Sequence, residues 1–272
     1  MSVAYRGIPG SFSYLAAQAI FGKEVALSGI DDFEGIFKSV AAGSDEAGVI
    51  PLENTLAGSV HENYDLLLQY DLAIHAEYHL RVEHHLVGLQ SDISKISKVY
   101  SHPKALEQCK IIFNDLPHLE RRPFSDTAAA AKQVKTRGDP SLAAIASEEA
   151  AKLYGLTIIR RNIEDNRSNF TRFVTIKRKL ERAADADKCS LILSLPHAPG
   201  SLMRALQVIS DEGLNLTKIE SRPITGKPFE YHFYIDFEFR GIDLDRAIKN
   251  MSTRATIVKN LGIYKAVSAE KV

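Results

Sequence analysis

From the N-terminus to about residue 178, short apolar runs alternate with amphipathic segments, the signature of an α/β layer fold. Val3 to Tyr5 predicts a strand and Ser13 to Phe21 a helix. The pattern repeats as strand Val25 to Leu27 with helix Asp32 to Ala42, then strand Ala47 to Pro51 with helix His61 to Tyr70. Leu72 to Leu89 is long, strand-like and rich in histidine, and is expected to cross from one lobe to another. A second set follows, with strands at Lys98 to Tyr100, Leu119 to Pro123, Leu142 to Ala146 and Leu156 to Ile159. Between them lie helices predicted at Lys104 to Phe113, Thr127 to Thr136 and Ser147 to Tyr154. Phe170 to Lys177 is strand-like again and predicted to return to the first lobe.

Residues 180–187 are charged and alanine-rich and read as a linker. Beyond them the order becomes βαββαβ: strand Ser190 to Leu195, helix Ser201 to Glu212 stopped by Gly213, and strand Leu216 to Ser221. A Gly226-Lys227-Pro228 turn leads into a strand in which Tyr231, Phe233, Ile235, Phe237 and Phe239 alternate with His232, Tyr234, Asp236, Glu238 and Arg240. Period two predicts one buried sheet face and one more polar one. Helix Asp243 to Thr256 and a strand from Gly262 to Val267 complete a ferredoxin-like unit. Two domains are therefore expected, residues 1–180 and 188–272, as the length of 272 residues also favours.

Composition narrows the partners. Lys plus Arg and Asp plus Glu number 34 each, so no net positive charge favours nucleic acid. No apolar run approaches the roughly 20 residues that span a bilayer, and Met1 to Arg6 runs straight into a strand pattern without a signal-peptide core. Cys109 and Cys189 have no metal-ligand spacing and read as reduced thiols of a cytoplasmic protein.

Small polar residues crowd the predicted strand-to-helix junctions: Gly7, Gly10, Ser11 and Ser13; Glu53, Asn54 and Thr55; Ser101 and His102; Ser125 to Thr127; Ser147. Ligands of open α/β sheets bind at such junctions, where helix amino ends favour anions. Taken singly, each of these residues is better explained as a helix cap. Glu53-Asn54-Thr55 exceeds what capping requires. In Asn169-Phe170-Thr171-Arg172-Phe173 a hydroxyl stands beside a guanidinium, a pair suited to a carboxylate ligand. In a regular strand the two face opposite ways, so joint action needs a kink or a ligand that reaches around. His84 and His85 are likewise expected on opposite faces. The chain has no P-loop lysine, no dinucleotide fingerprint, no G-x-S-x-G elbow and no zinc-ligand spacing.

Asn169 to Phe173, preceded by Ile163 to Asn166, resembles the Thr-Arg-Phe signature of prephenate dehydratases. Pro51-Leu52-Glu53-Asn54-Thr55-Leu56-Ala57-Gly58-Ser59-Val60, Ser101 to Cys109 and Asp126 to Ala128 are similar to other motifs of that family, in the same order. Asn215 to Pro223 resembles the phenylalanine-binding segment of an ACT regulatory domain. The resemblance implies a two-lobed, periplasmic-binding-protein-like catalytic domain with its active cleft between the lobes. It also implies decarboxylative dehydration of prephenate to phenylpyruvate without metal or organic cofactor. By the same resemblance Thr171 donates to the departing ring hydroxyl and Arg172 holds a substrate carboxylate. Glu53, Asn54, Ser101 and Gln108 are then cleft residues that position substrate, with Ser11, Ser13, Thr55, Asn169 and Phe173 around them. Pro199, Gly200, Ser201 and Leu202, with Asn215, Leu216, Thr217 and Glu220, are implied to bind L-phenylalanine between ACT units of a homodimer or homotetramer. The first loop, Gly7-Ile8-Pro9-Gly10-Ser11-Phe12-Ser13, looks closer to enzymes that use arogenate, so either substrate is open. From another class, a non-enzymatic small-anion binding protein shares the expected architecture.

Overall fold

A computed structural model describes residues 1–266. The N-terminal part runs β1 (Ser2–Arg6), α1 (Phe12–Phe21), β2 (Ala26–Ile30), α2 (Phe33–Ala42), β3 (Ala47–Asn54), β4 (Gly58–Ser59) and α3 (His61–Gln69). The histidine-rich stretch divides into β5 (Ala73–Arg81) and β6 (His85–Gly88). Next come β7 (Lys98–Ser101), α4 (Pro103–Glu107), α5 (Lys110–Asp115), β8 (Glu120–Pro123) and α6 (Thr127–Arg137). After β9 (Leu142–Ala146), α7 (Glu148–Tyr154) and β10 (Thr157–Arg160), the chain returns as β11 (Phe170–Lys177). The C-terminal part is β12 (Lys188–Ser194), α8 (Ser201–Asp211), β13 (Asn215–Pro223), β14 (Tyr231–Glu238), α9 (Leu244–Ser252) and β15 (Ile257–Tyr264). The last strand starts five residues before its expected position, and its expected end at Val267 lies outside the described residues.

Two sheets result. The smaller has the order β10-β6-β9-β7-β8; the larger runs β13-β14-β12-β15-β5-β11-β3-β1-β2, with β4 beside β3. β5 lies in the large sheet and β6 in the small one, so the Leu72 to Leu89 stretch does cross between lobes. β11 crosses back and lies antiparallel between β3 and β5. The predicted helix Lys104 to Phe113 is broken in two at Gln108 and Cys109. The Asp165 carboxylate accepts from the Lys110 and Ile111 amides (2.8 and 3.0 Å) and so starts a second helix there. A cap supplied from that far along the chain leaves no local pattern to read.

The C-terminal βαββαβ unit is joined to the N-terminal part through a continuous sheet. β15 runs parallel to β5 with Gly262 opposite Ile74. A Cβ at Gly262 would collide with the Ile74 carbonyl oxygen, so only glycine allows this approach. One apolar cluster spans the seam, with Ile192, Tyr234, Leu261 and Tyr264 packed among Ile50, Tyr64, Ile74 and Ile176. The alternation in β14 is as expected, yet its polar face is not solvated. Tyr234 and Asp236 are 2% and 5% exposed, because Tyr64 of α3 packs on the first and the Arg172 side chain bonds the second.

A second contact shapes the lobes. Gly10 has φ +90°, and a Cβ there would stand 2.9 Å from Ala150 Cα on α7. Ser147 Oγ and Tyr154 Oη donate to the Gly10 and Pro9 carbonyls (2.8 and 2.7 Å), so the first loop of one lobe seats on a helix of the other.

Candidate active site

A cavity of about 610 Å³ opens between the two sheets, large enough for a small organic acid. The large-sheet side supplies Arg6 to Ile8 and Ser11 to Ser13 of the first loop and α1, the end of β3 with the following turn, and Thr171 and Phe173 of β11. The small-sheet side supplies His102, Lys104, Ala105 and Gln108 around α4, and Ser125, Asp126, Thr127 and Ala129 at the start of α6. Val82 and His84 line it from the crossover between β5 and β6.

One hydrogen-bonded chain runs along the floor. Asn54 Oδ1 accepts from the Leu56 and Ala57 amides (3.0 and 2.8 Å), which settles which end of its amide is oxygen. Its nitrogen therefore donates, toward Asn169 Oδ1 (2.8 Å), the Phe170 carbonyl (3.1 Å) and Thr171 Oγ1 (3.0 Å). Since Thr171 oxygen is an acceptor in this contact, its own proton is free to point at a ligand. Asn169, fully buried, passes the polarity on: its Nδ2 donates to Gln108 Oε1 at 3.2 Å. Gln108 Oε1 also meets His84 Nε2 at 3.1 Å. Burial pushes His84 below the ordinary histidine range, which favours the neutral ring.

Among the expected site residues, Asn54, Gln108, Thr171, Phe173, Ser11 and Ser13 line the cleft. Ser11 is committed to structure there: its hydroxyl accepts from Tyr14 N and donates to the Arg6 carbonyl (both 3.2 Å), capping α1. Asn169 lies just beneath, acting through Asn54 and Gln108. Thr55 ties a loop instead, donating to Ser168 O (2.7 Å) and accepting from Phe170 N (3.0 Å). Ser101 is fully buried and donates to Ile145 O at 2.7 Å, joining β7 to β9 rather than facing the cavity.

Arg172 and Glu53 are elsewhere. A register shift does occur at Arg172 and Phe173, but Leu52 of β3 is the extra residue. β11 keeps its alternation, and Arg172 points to the opposite face from Thr171. Its guanidinium donates to Glu77 (2.8 Å), Asp236 (2.5 Å), Glu53 (3.2 Å) and Tyr264 Oη (2.8 Å). Lys188 also bonds Glu77 (2.8 Å), and Lys218 bonds Glu53 (2.8 Å). Three cations thus meet three carboxylates at the seam with the C-terminal unit. Burial opposes the Arg172 charge, yet Asp236, with Tyr264 and Glu77, holds it protonated well above the usual range. The expected carboxylate contact of Arg172 is thus not made from this position, since four of its five N–H groups are engaged at the seam and the residue does not line the cavity.

The positive charge that does face the cavity belongs to Arg6 and Lys104. Arg6 lies over the Phe33 ring (4.7 Å to its centroid), and Lys104 Nζ has no hydrogen bond or ion pair among the described residues. Lys104 stood inside the Ser101 to Cys109 motif, but only its place beside the cavity distinguishes it from any surface lysine. Thr127 and Ser13 also present hydroxyls to the cavity without a side-chain hydrogen bond among the described residues. Asp126 places a carboxylate at the start of α6, where it accepts from the Ala128 and Ala129 amides, so that helix end is already neutralised. Among the described residues no group of three or more His, Cys, Asp or Glu is arranged to hold a metal. No helix among them is long and apolar enough to cross a membrane.

In the C-terminal unit a hollow of about 130 Å³ is lined by Ser201 and Leu202 together with Leu195, His197, Tyr231 and Phe233. Gly200 takes φ +78° to start α8, and the Pro199 carbonyl accepts from Arg204 at 3.1 Å. Asn215, Leu216 and Thr217 lie on β13 outside this hollow, with Thr217 Oγ1 donating to Asp236 O at 3.2 Å. Glu220 faces the N-terminal unit and accepts from Ser59 Oγ at 2.7 Å.

Comparison with known proteins gives a consistent result. The family model for prephenate dehydratase matches residues 3–181. Arogenate dehydratase/prephenate dehydratase 2 of Arabidopsis thaliana is 38% identical over 276 residues, covering 96% of this chain and 72% of the relative. The crystal structure of a prephenate dehydratase from Arthrobacter aurescens in complex with L-Phe superimposes with a TM-score of 0.88 at 28% identity, covering 99% of this chain and 93% of that one. A structure described as a novel type of quorum quenching acylase, GqqA, aligns over 100% of both chains with a TM-score of 0.89 and 31% identity.

Proposed function

Because the chain belongs to the prephenate dehydratase family, we propose that prephenate loses water and carbon dioxide in the cleft between the two sheets, giving phenylpyruvate. The observation that carries this reading is the polarity of the Asn54 to Thr171 contact, which leaves the threonine proton free for a ligand in the cleft. The ring carboxylate leaves as carbon dioxide, its bonding electrons aromatise the ring, and the bond from ring carbon to hydroxyl breaks. The departing hydroxide takes up a proton to become water. A threonine hydroxyl is too weak an acid to give its proton outright, so Thr171 acts by a hydrogen bond that strengthens as charge builds on that oxygen. Phe173 offers an apolar wall beside it.

Two carboxylates need two cations, and Arg6 and Lys104 face the cavity from opposite lobes. A dianion held by both would draw the lobes together. Losing one such charged contact costs about 1.5–3 kcal/mol. Lys104→Ala is therefore expected to raise the KM for prephenate about tenfold or more with kcat little changed. Steady-state kinetics check this, and an unaltered KM would exclude Lys104 from substrate binding.

The C-terminal βαββαβ unit reads as an ACT-type domain binding L-phenylalanine, on a two-lobed catalytic domain of periplasmic-binding-protein-like architecture. The small hollow at Ser201 and Leu202 supports the first reading. Copies are expected to pair through these units, whose edge strand β13 carries Ile219 at 41% exposure. Arogenate is the second substrate to test, since the Arabidopsis relative carries both activities in its name. Acyl hydrolysis is less well served: it needs a base beside the nucleophile, and Thr171 oxygen meets a donor, Asn54. Both substrates, assayed side by side with and without phenylalanine, test the whole reading. Phenylpyruvate from prephenate, suppressed by phenylalanine, is expected; conversion of neither substrate would overturn it.

A further inference from the structure

His84 sits on the crossover between the lobes with its backbone held on both sides. Its amide donates to Glu164 Oε2 at 3.0 Å, and its carbonyl accepts from Ile163 N at 2.8 Å. Its ring packs edge-on against Phe12, with centroids 5.6 Å apart. Nδ1 is buried with no partner among the described residues. An unpaired buried acceptor costs stability, so an aromatic hydrocarbon would suit this pocket better. What the imidazole adds is its other nitrogen, at 3.1 Å from Gln108 Oε1.

The polarity of that contact follows from the chain of amides. Backbone N–H groups fix Asn54 oxygen, so Asn54 nitrogen faces Asn169 oxygen and Asn169 nitrogen faces Gln108. Turning Gln108 over would set two donors against each other. Gln108 therefore presents oxygen to the floor, and the nitrogen facing it from His84 must carry hydrogen. With its oxygen doubly engaged, Gln108 has its NH2 group left over, without a partner among the described residues, on a residue that lines the cavity.

We propose that His84 is a positioning residue for the dehydration: by donating from Nε2 to Gln108 Oε1 it holds the Gln108 amide so that its NH2 faces the substrate. The proposal rests on the reading of the cleft given above. Both ends of the network then present donors to the reacting molecule, Thr171 at one end and Gln108 at the other. Fixed donors aimed where charge develops act on turnover more than on binding. Asn169 alone leaves the amide one anchor; two hydrogen bonds to the same oxygen fix its plane as well.

The test has two arms on the full chain. Nitrogen-15 spectra of the histidine rings report the tautomer without any turnover: a neutral Nε2–H form of His84 is expected, and a neutral Nδ1–H form would overturn the proposal. In kinetics with prephenate, His84→Phe keeps a ring against Phe12 but loses the donor, and is expected to lower kcat about tenfold to a hundredfold with KM nearly constant. His84→Gln restores a donor at similar reach and should recover most of that loss. If His84→Phe turns over within twofold of the parent, or His84→Gln is no better while both melt like the parent, His84 does not position Gln108. A parent protein that converts neither prephenate nor arogenate would sink the functional reading alone, and the tautomer arm would still decide the placement of the proton.

Discussion

Thr171→Val is expected to lower turnover of prephenate by about 10²–10³ while leaving substrate affinity nearly unchanged. Valine keeps the β-branched shape that suits a strand, so β11 retains its pairing with β3 and β5. What disappears is one hydroxyl, whose oxygen accepts from Asn54 and whose proton has no acceptor among the described residues. A hydrogen bond that matters chiefly in the transition state appears in kcat and kcat/KM alike, not in KM. Thr171→Ser keeps the donor and should retain more activity than the valine variant. Steady-state kinetics on prephenate check both, and a valine variant with unaltered turnover would remove Thr171 from the chemistry.

Arg172→Met is expected to act mainly on stability. Methionine would leave Asp236 and Glu77 buried, with Lys188 the nearest remaining buried cation of the cluster. Removing one partner from a buried ion pair costs about 3–5 kcal/mol, because an uncompensated charge stays behind. For a chain of this size that corresponds to a fall in melting temperature on the order of 10 °C. Well below the transition, KM for prephenate should be nearly that of the parent. The opposite pattern, an unaltered melting curve with a KM raised many-fold, would mean that Arg172 does reach the substrate. A thermal melt and one KM measurement separate these outcomes.

The contrast between these neighbours shows where local pattern stops informing. Period two in Phe170 to Lys177 already put Thr171 and Arg172 on opposite faces, and so they are. Nothing local told which face met the ligand, because Arg172 finds Glu77 and Asp236 at separations of 95 and 64 residues. The family resemblance grouped the two by adjacency in sequence, whereas the sheet separates them. Ser101 is a similar case: a serine at a strand end suits a ligand or a neighbouring carbonyl equally, and the pairing of β7 with β9 settles it on Ile145. His84 lies just before β6 rather than within a strand, and the two histidines take different partners. One meets Gln108, and the other accepts from Asn162 N at 3.0 Å. Lys104 gave no signal because an unpaired lysine is ordinary until a cavity is found beside it.

The passage of one sheet through both units bears on how the protein comes apart. Gly262 lets β15 lie against β5, and the cluster around Arg172 draws its members from both sides of that seam. A partly unfolded form with the C-terminal unit loosened would strand Arg172 beside carboxylates it no longer balances and open Ile74 and Tyr64 to water. Such a form is poorly populated, so heat should melt the chain in a single cooperative step.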